Sequence, residues 1–164
     1  MTYNLIRQYS THFSDPPERI RVASRALIIK NNKILLSYEQ NTGVYMTPGG
    51  GIENGETLEE CCIREVREET GYIVSVNSPF VVIDEYCFET MYESNYFICD
   101  IMGKSENSLT DVEIEHGMVS KWLDINDALE IFEDYLFKNE DIASLYRREL
   151  TVLNEYLNIS KTAL

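Results

Sequence analysis

A chain of 164 residues is long enough to bury one sizeable core, and it fits a single domain. Hydrophobic residues make up 44% and charged residues 26%, an ordinary globular balance, and no apolar run approaches the roughly 20 residues that span a bilayer, which excludes a helical membrane protein. The net charge of −14, from 28 acidic and 14 basic residues, argues against DNA or RNA as a partner, because a phosphate backbone would be repelled. The same repulsion applies to phosphate-bearing small molecules unless a cation intervenes. Clustered carboxylates that hold a divalent cation invert the local field.

In chain order, Met1 to Ser10 lacks the basic-then-apolar pattern of a secretion signal, so a cytoplasmic location is the expectation. Arg19 to Ile29 reads as a strand, Asn31-Asn32 as a turn and Lys33 to Glu39 as the second arm of a hairpin. Val44 to Thr47 is extended before Pro48, and Gly49-Gly50-Gly51 follows. Thr57 has the character of a helix N-cap, with Glu60 completing a capping box. That helix should run from Leu58 to Thr70 and stop at Gly71. Strands are expected over Tyr72 to Val76, Phe80 to Phe88 and Tyr96 to Met102, then a polar loop over Gly103 to Asp111. Met118 to Leu123 is a further strand and Asn126 to Phe137 a helix. The last helix, Glu140 to Leu157, carries an apolar stripe at Ile142, Leu145, Tyr146, Val152, Leu153 and Tyr156. Strands and helices mix without strict alternation, which predicts an α+β fold with a mixed sheet between helices. The four cysteines, Cys61, Cys62, Cys87 and Cys99, lack metal spacing and read as reduced thiols.

The acids do cluster. Seven of them, Glu53, Glu56, Glu59, Glu60, Glu65, Glu68 and Glu69, are opposed only by Arg64 and Arg67. Within the predicted helix, Leu58, Cys62 and Val66 share a face that should meet the core. Glu65 and Glu69 border that face, while Glu60, Arg64 and Arg67 lie on the opposite side. Like charges at i and i+4 repel, and partial burial raises the cost steeply. Glu65, Glu68 and Glu69 therefore form a group that only a cation or a proton would relieve. Hard oxygen donors select magnesium, manganese or calcium. The bland alternative is a solvated acidic face.

The stretch from Gly50 to Tyr72, GGIENGETLEECCIREVREETGY, decides between them. It resembles the Nudix box, G-x5-E-x7-R-E-U-x-E-E-x-G-U, where U is a bulky aliphatic residue. Gly50, Glu56, Arg64, Glu65, Glu68, Glu69 and Gly71 fill all seven fixed positions. At about 7% per residue, a chance match at one start is on the order of 10⁻⁸. Val66 fits the first bulky position, and Tyr72 replaces the usual aliphatic at the last. The resemblance implies the family's α/β/α sandwich over roughly Arg19 to Phe137 in a single domain, with the final helix as an extra element. It implies hydrolysis of a nucleoside diphosphate linked to some moiety X, by water attack on phosphorus, with Mg2+ (or Mn2+) as cofactor. By resemblance Glu65, Glu68 and Glu69 are metal ligands, one of them a possible base, and the Gly50 carbonyl is a further ligand. Arg64 is implied to orient a carboxylate, Glu56 first.

The family often adds a carboxylate from outside the box. Glu115 is the first candidate and Glu113 the second, in a loop from Asp111 to His116. The partner expected is a small nucleotide-like substrate, with no nucleic acid and no membrane. Subclass marks for ADP-ribose, dinucleoside polyphosphate or coenzyme A substrates are missing, so the substrate stays open. Tyr45, Tyr86, Phe88, Tyr92 and Tyr96 either stack on a base or belong to core and sheet surface. Family members are often dimers, which makes a second subunit the favoured cover for the stripe of the last helix, and a homodimer the expected assembly. Two alternatives remain: a non-hydrolytic nucleotide sensor, and an acidic interaction module whose metal is structural.

Overall fold

The computed structural model describes residues 4–162. Among the described residues, nine strands form two sheets. β1 (Asn4–Phe13), β2 (Arg19–Leu27), β6 (Gly49–Gly51), β7 (Tyr72–Phe88) and β8 (Thr90–Lys104) make one sheet in the order β1-β7-β8-β2-β6. β3 (Ile29–Lys30), β4 (Lys33–Glu39), β5 (Val44–Met46) and β9 (Met118–Asp124) make the other, with β9 beside β4. Pairing is mixed: β1 runs parallel to β7 and β2 parallel to β8, while β7 and β8 are antiparallel.

One long strand was expected over Arg19 to Ile29. It breaks at Ile28, and the chain leaves the first sheet as β2 and enters the second as β3. Asn31 and Asn32 both take left-handed dihedrals, φ 52° and 59°, the conformation that a tight hairpin turn needs. Ile29 then pairs with Ile34 and Lys30 with Lys33.

The period-two alternation of these strands divides the core into two layers. Ala26, Ile28, Leu35, Phe97 and Cys99 point to one side, where they meet Cys62 and Val66 of α1 (Leu58–Thr70). Leu27, Ile34, Leu36, Val81, Ile83 and Tyr96 point to the other. There they meet Ile125, Ala128 and Phe132 of α3 (Ile125–Glu133) and Tyr146, Val152 and Leu153 of α4 (Glu140–Thr162). The result is the expected layering of helix, sheet and helix. All four cysteines are free, and Cys61, Cys62 and Cys99 are buried. Among the described residues, no helix is long and apolar enough to cross a membrane.

Several boundaries differ from expectation for identifiable reasons. Tyr72 to Phe88 is one strand, whose register slips around Pro79, a residue with no N–H to give the ladder. β8 starts at Thr90 instead of Tyr96, because Ser94 and Asn95 are buried although polar. Helix α3 ends at Glu133, and Asp134–Phe137 tightens into a 3-10 turn. The expected loop over Asp111 to His116 contains a short helix, α2 (Asp111–Glu115), capped by Thr110.

The largest correction concerns α4. The sequence favours a second subunit as the cover for its apolar stripe. In the structure Tyr146, Val152 and Leu153 sit in the domain's own core, and Ile142, Leu145 and Tyr156 pack against it. The stripe is satisfied in cis and gives no ground for a homodimer.

Candidate active site

Helix α1 is placed by its two ends. The Thr57 hydroxyl accepts from the Glu60 N–H at 3.2 Å, and Glu60 Oε2 accepts from the Thr57 N–H at 2.8 Å. At the other end Gly71 takes φ 73°, which L side chains resist, and its N–H reaches the Arg67 carbonyl. Between these stops Cys62 and Val66 are fully buried, so the helix cannot rotate. That fixes the carboxylates on the flank of the buried stripe.

Carboxylate oxygens of Glu65, Glu69 and Glu113 all lie within 4.8 Å of one another. Glu113 comes from α2, beyond the box. It is the second of the two loop candidates that the sequence offers. Glu115 is exposed and stands outside this group, as does Glu68. A legible signal for Glu113 exists in the sequence: Thr110-x-x-Glu113 is itself a capping box, and Glu113 Oε2 accepts from the Thr110 N–H at 2.7 Å.

Glu69 is buried, at 4% exposure, with no cationic hydrogen-bond partner. Its Oε2 accepts from the Ser37 hydroxyl at 2.5 Å and its Oε1 from the Gly49 N–H at 3.4 Å. Burial pushes its carboxyl up to about 8, against the opposing pull of Ser37. Glu65 is also raised by burial, although Arg64 donates to it. A trio of hard-oxygen carboxylates, one of them buried with no salt bridge among the described residues, fits a divalent cation.

The Gly50 carbonyl lies beside this cluster and accepts from the Cys61 thiol at 3.5 Å. A Cβ on Gly50 would stand 2.5 Å from Glu65 Oε1, so only glycine lets strand and carboxylate approach so closely. Ser37 is a residue that the sequence reading misses, since one serine inside an apolar strand carries no signal of its partner.

Arg64 is placed differently from the helical-wheel expectation. Its Cα projects away from the core, but the long side chain folds back among the acids. It donates to both Glu56 oxygens at 2.7 and 2.9 Å, to Glu65 at 2.8 Å, to Glu68 at 3.2 Å and to the Gly51 carbonyl at 3.1 Å. Bonding to Arg64 holds the Glu56 carboxyl down at about 2. Arg64 therefore clamps box loop to box helix.

The aromatic candidates separate. Tyr96 is fully buried and bonded to Glu149 and Arg148. Tyr45 stacks on Tyr38 at 4.3 Å and Tyr86 on Tyr9 at 5.0 Å. Phe88 lies over His12 at 6.3 Å. Tyr92 alone of the five lines a recess next to Gly50.

Comparison with known proteins agrees with this geometry. The NUDIX domain model matches residues 19–144, and the chain belongs to the Nudix family. An ADP-ribose pyrophosphatase from Methanocaldococcus jannaschii is 48% identical over 60 residues, covering 35% of this chain and 36% of that protein. The Nudix hydrolase YvcI of Bacillus subtilis is 31% identical over 102 residues, covering 59% of this chain and 61% of its own length. Both matches thus span less than two thirds of the relative. A Nudix hydrolase structure from Nitrosomonas europaea shares the fold, with a TM-score of 0.64 at 21% identity over 84% of this chain and 88% of that one.

The raised carboxyl of Glu69 makes a prediction for the metal-free protein. A group that holds its proton more tightly when folded stabilises the fold at low pH and loses that contribution as pH rises. Because the folded value is about 8 and the unfolded one 4.5, melting temperature should fall as pH is raised from 5 to 8. Saturating divalent cation should flatten that slope, since it takes the proton's place. Scanning calorimetry across this range, with and without metal, measures both. A metal-free melting temperature that rises from pH 5 to 8 would contradict the assignment.

Proposed function

We propose that this chain is a Mg2+-dependent pyrophosphohydrolase that cuts the diphosphate linkage of a nucleoside diphosphate joined to a second moiety. The convergence of Glu65, Glu69 and Glu113 carries the reading. A divalent cation held by these oxygens would neutralise the diphosphate, polarise phosphorus and lower the pKa of an attacking water. The chain's own residues would do the positioning. Ser37 and the Gly49 N–H hold Glu69 in one orientation, and Arg64 holds Glu65 while tying Glu56 and Gly51 to the helix. Glu113, half-buried and brought in from outside the box, would take the water's proton. The water oxygen then forms a bond to phosphorus as the bridging P–O bond breaks, and the leaving phosphate departs as an anion. Fixed groups of this kind lower the barrier by orientation and charge placement rather than covalent chemistry.

The contrast between Glu113 and Glu115 tests the site's third carboxylate. Glu113→Gln should lower kcat by about a hundredfold or more, the range of a lost general base. Glu115→Gln should lose far less. Steady-state kinetics on a confirmed substrate decides, and a larger loss at Glu115 would reassign the third carboxylate.

A further inference from the structure

Beside the carboxylate group lies a recess of about 160 Å3, lined by Arg21 and Arg25 of β2, Tyr92 of β8, Arg148 of α4, and Gly50 and Gly51 of β6. Gly50 is common to both places, since it also abuts Glu65. The recess, on the α4 side of the sheet, and the carboxylates of α1 thus meet at the glycine strand β6.

The charges in the recess are unbalanced. Arg148 is neutralised by Glu85 at 2.8 Å and Glu149 at 2.9 Å. Arg21 and Arg25 form no salt bridge among the described residues. Arg25 Nε is buried with no hydrogen-bond partner, and its Nη1 reaches only the Thr47 and Gly49 carbonyls, at 3.4 and 3.5 Å. A guanidinium N–H buried without an acceptor is costly, and a protein of net charge −14 has no shortage of carboxylates to supply one. Two arginines without a salt bridge beside a diphosphate-cutting site are free to take an anion from outside, although Arg25 also lies within electrostatic reach of Glu69. Guanidinium suits a phosphoryl group in charge and in geometry. The volume limits the choice further, because drug-sized ligands and nucleosides occupy pockets of roughly 300 Å3 and more. A phosphoryl group fits within that volume.

We propose that this recess receives the free terminal phosphate of the substrate. The chain would then act on nucleoside triphosphates, in which the moiety joined to the nucleoside diphosphate is an unesterified phosphate, in preference to nucleotides whose outer phosphate carries a sugar or a second nucleoside. This rests on the diphosphate-cutting reading above and narrows it to one substrate class. Arg21 and Arg25 set that preference. An outer ester removes a charge from the terminal phosphate, which would leave both guanidiniums less well neutralised.

The test is binding without turnover. Methylenediphosphonate, which cannot be hydrolysed, and its P,P′-dimethyl ester are titrated calorimetrically into the intact chain with magnesium. The probes carry no base, so base preference does not enter. The wild type should bind the free diphosphonate at least about tenfold more tightly than the ester. Arg21→Ala and Arg25→Ala should each weaken the free probe by about tenfold and leave the ester nearly unchanged. Arg7→Ala, an exposed arginine of β1, serves as the control and should bind both probes like the wild type. Arg21 is exposed, so its variant should fold even if Arg25→Ala does not, and circular dichroism checks each. No binding of the free probe by the wild type would overturn the proposal. So would arginine variants that keep the wild-type preference, or that lose both probes equally. Failure of the hydrolase reading would show up elsewhere, as an absence of turnover on every diphosphate tried, while this binding preference could still be measured.

Discussion

Glu69→Gln and Glu65→Gln should each lower kcat by at least about a hundredfold, the loss seen when a major electrostatic contributor is removed from a site of this kind. Each change keeps the shape of the side chain and removes one charged oxygen from a group whose atoms lie within 4.8 Å of one another. For Glu69 the account predicts a second effect of opposite sign. Its carboxyl is pushed up to about 8 by burial, so at pH 8 and above an ionised Glu69 is a burden on the metal-free fold. Glutamine is neutral at every pH and can still accept from Ser37. Glu69→Gln should therefore melt higher than the wild type in chelator at pH 8 and lower than it in saturating metal, where the wild type gains from the bound ion. Activity and melting curves on the same samples separate this from simple misfolding. Near-normal rates in both variants would make the cluster incidental.

Arg148→Met should be the most destabilising single change in the molecule, by about 3–5 kcal/mol, because it strands two buried carboxylates. Arg148, Glu85 and Glu149 are 6%, 4% and 1% exposed. The guanidinium donates to Glu85 at 2.8 Å, to Glu149 at 2.9 Å and to the Tyr96 hydroxyl at 2.8 Å. Ser144 and Thr47 complete the shell, donating to Glu85 at 3.0 Å and Glu149 at 2.9 Å. The network bolts α4 to β7, to β8 and to the segment that enters the glycine run. Removing only the cation leaves charge buried with no partner, whereas replacing all three ionic groups by apolar residues of similar volume should cost far less. The expected fall in melting temperature for Arg148→Met is about 10 °C in a chain of this length. Glu85→Gln, Arg148→Met and Glu149→Gln combined should recover part of that loss. A single variant that melts within about 2 °C of the wild type would show the network to be dispensable.

This network also marks where the sequence stops being legible. A periodicity reading treats every charge on a helix as solvent-facing, and in α4 it finds the stripe of Tyr146, Val152 and Leu153 but leaves Arg148 and Glu149 outside. Their burial depends on Glu85, 63 residues away in the chain, and no local pattern carries that pairing. The helical wheel taken alone also misplaces Arg64, although the box resemblance implies its pairing with Glu56. Its position on the helical wheel says "away from the core", while a side chain of that length folds back to Glu65 and Glu68. Strand β1 escapes notice for another reason. It is held by parallel backbone pairing to β7, from Asn4 opposite Val81 to Tyr9 opposite Tyr86, with Gln8 its only buried residue and no apolar alternation to announce it.

Helix α1 is the opposite case. Its start, stop, buried face and acidic flank are all written within 23 consecutive residues, Gly50 to Tyr72, and the structure departs from that reading in the reach of Arg64 and in leaving Glu68 outside the carboxylate group. Local chemistry specifies local structure well when caps, periodicity and spacing agree. Glu113 lies between these extremes. Its capping box with Thr110 is local, but its approach to Glu65 and Glu69 is tertiary, and the exposed Glu115 two residues on shows how little separates the two outcomes in sequence alone.

The central claim is that these carboxylates serve a cation in the cleavage of a diphosphate. The most direct test is a hydrolysis screen of the intact chain over nucleoside di- and triphosphates, nucleotide sugars, dinucleotides and ADP-ribose. Each substrate is run with magnesium, and again after the metal is stripped by chelator and then restored. The account predicts turnover of at least one substrate class with magnesium, loss of that turnover in chelator, and its return when magnesium or manganese is added back. Turnover that persists undiminished in metal-free buffer would contradict it, as would silence on every diphosphate with metal present.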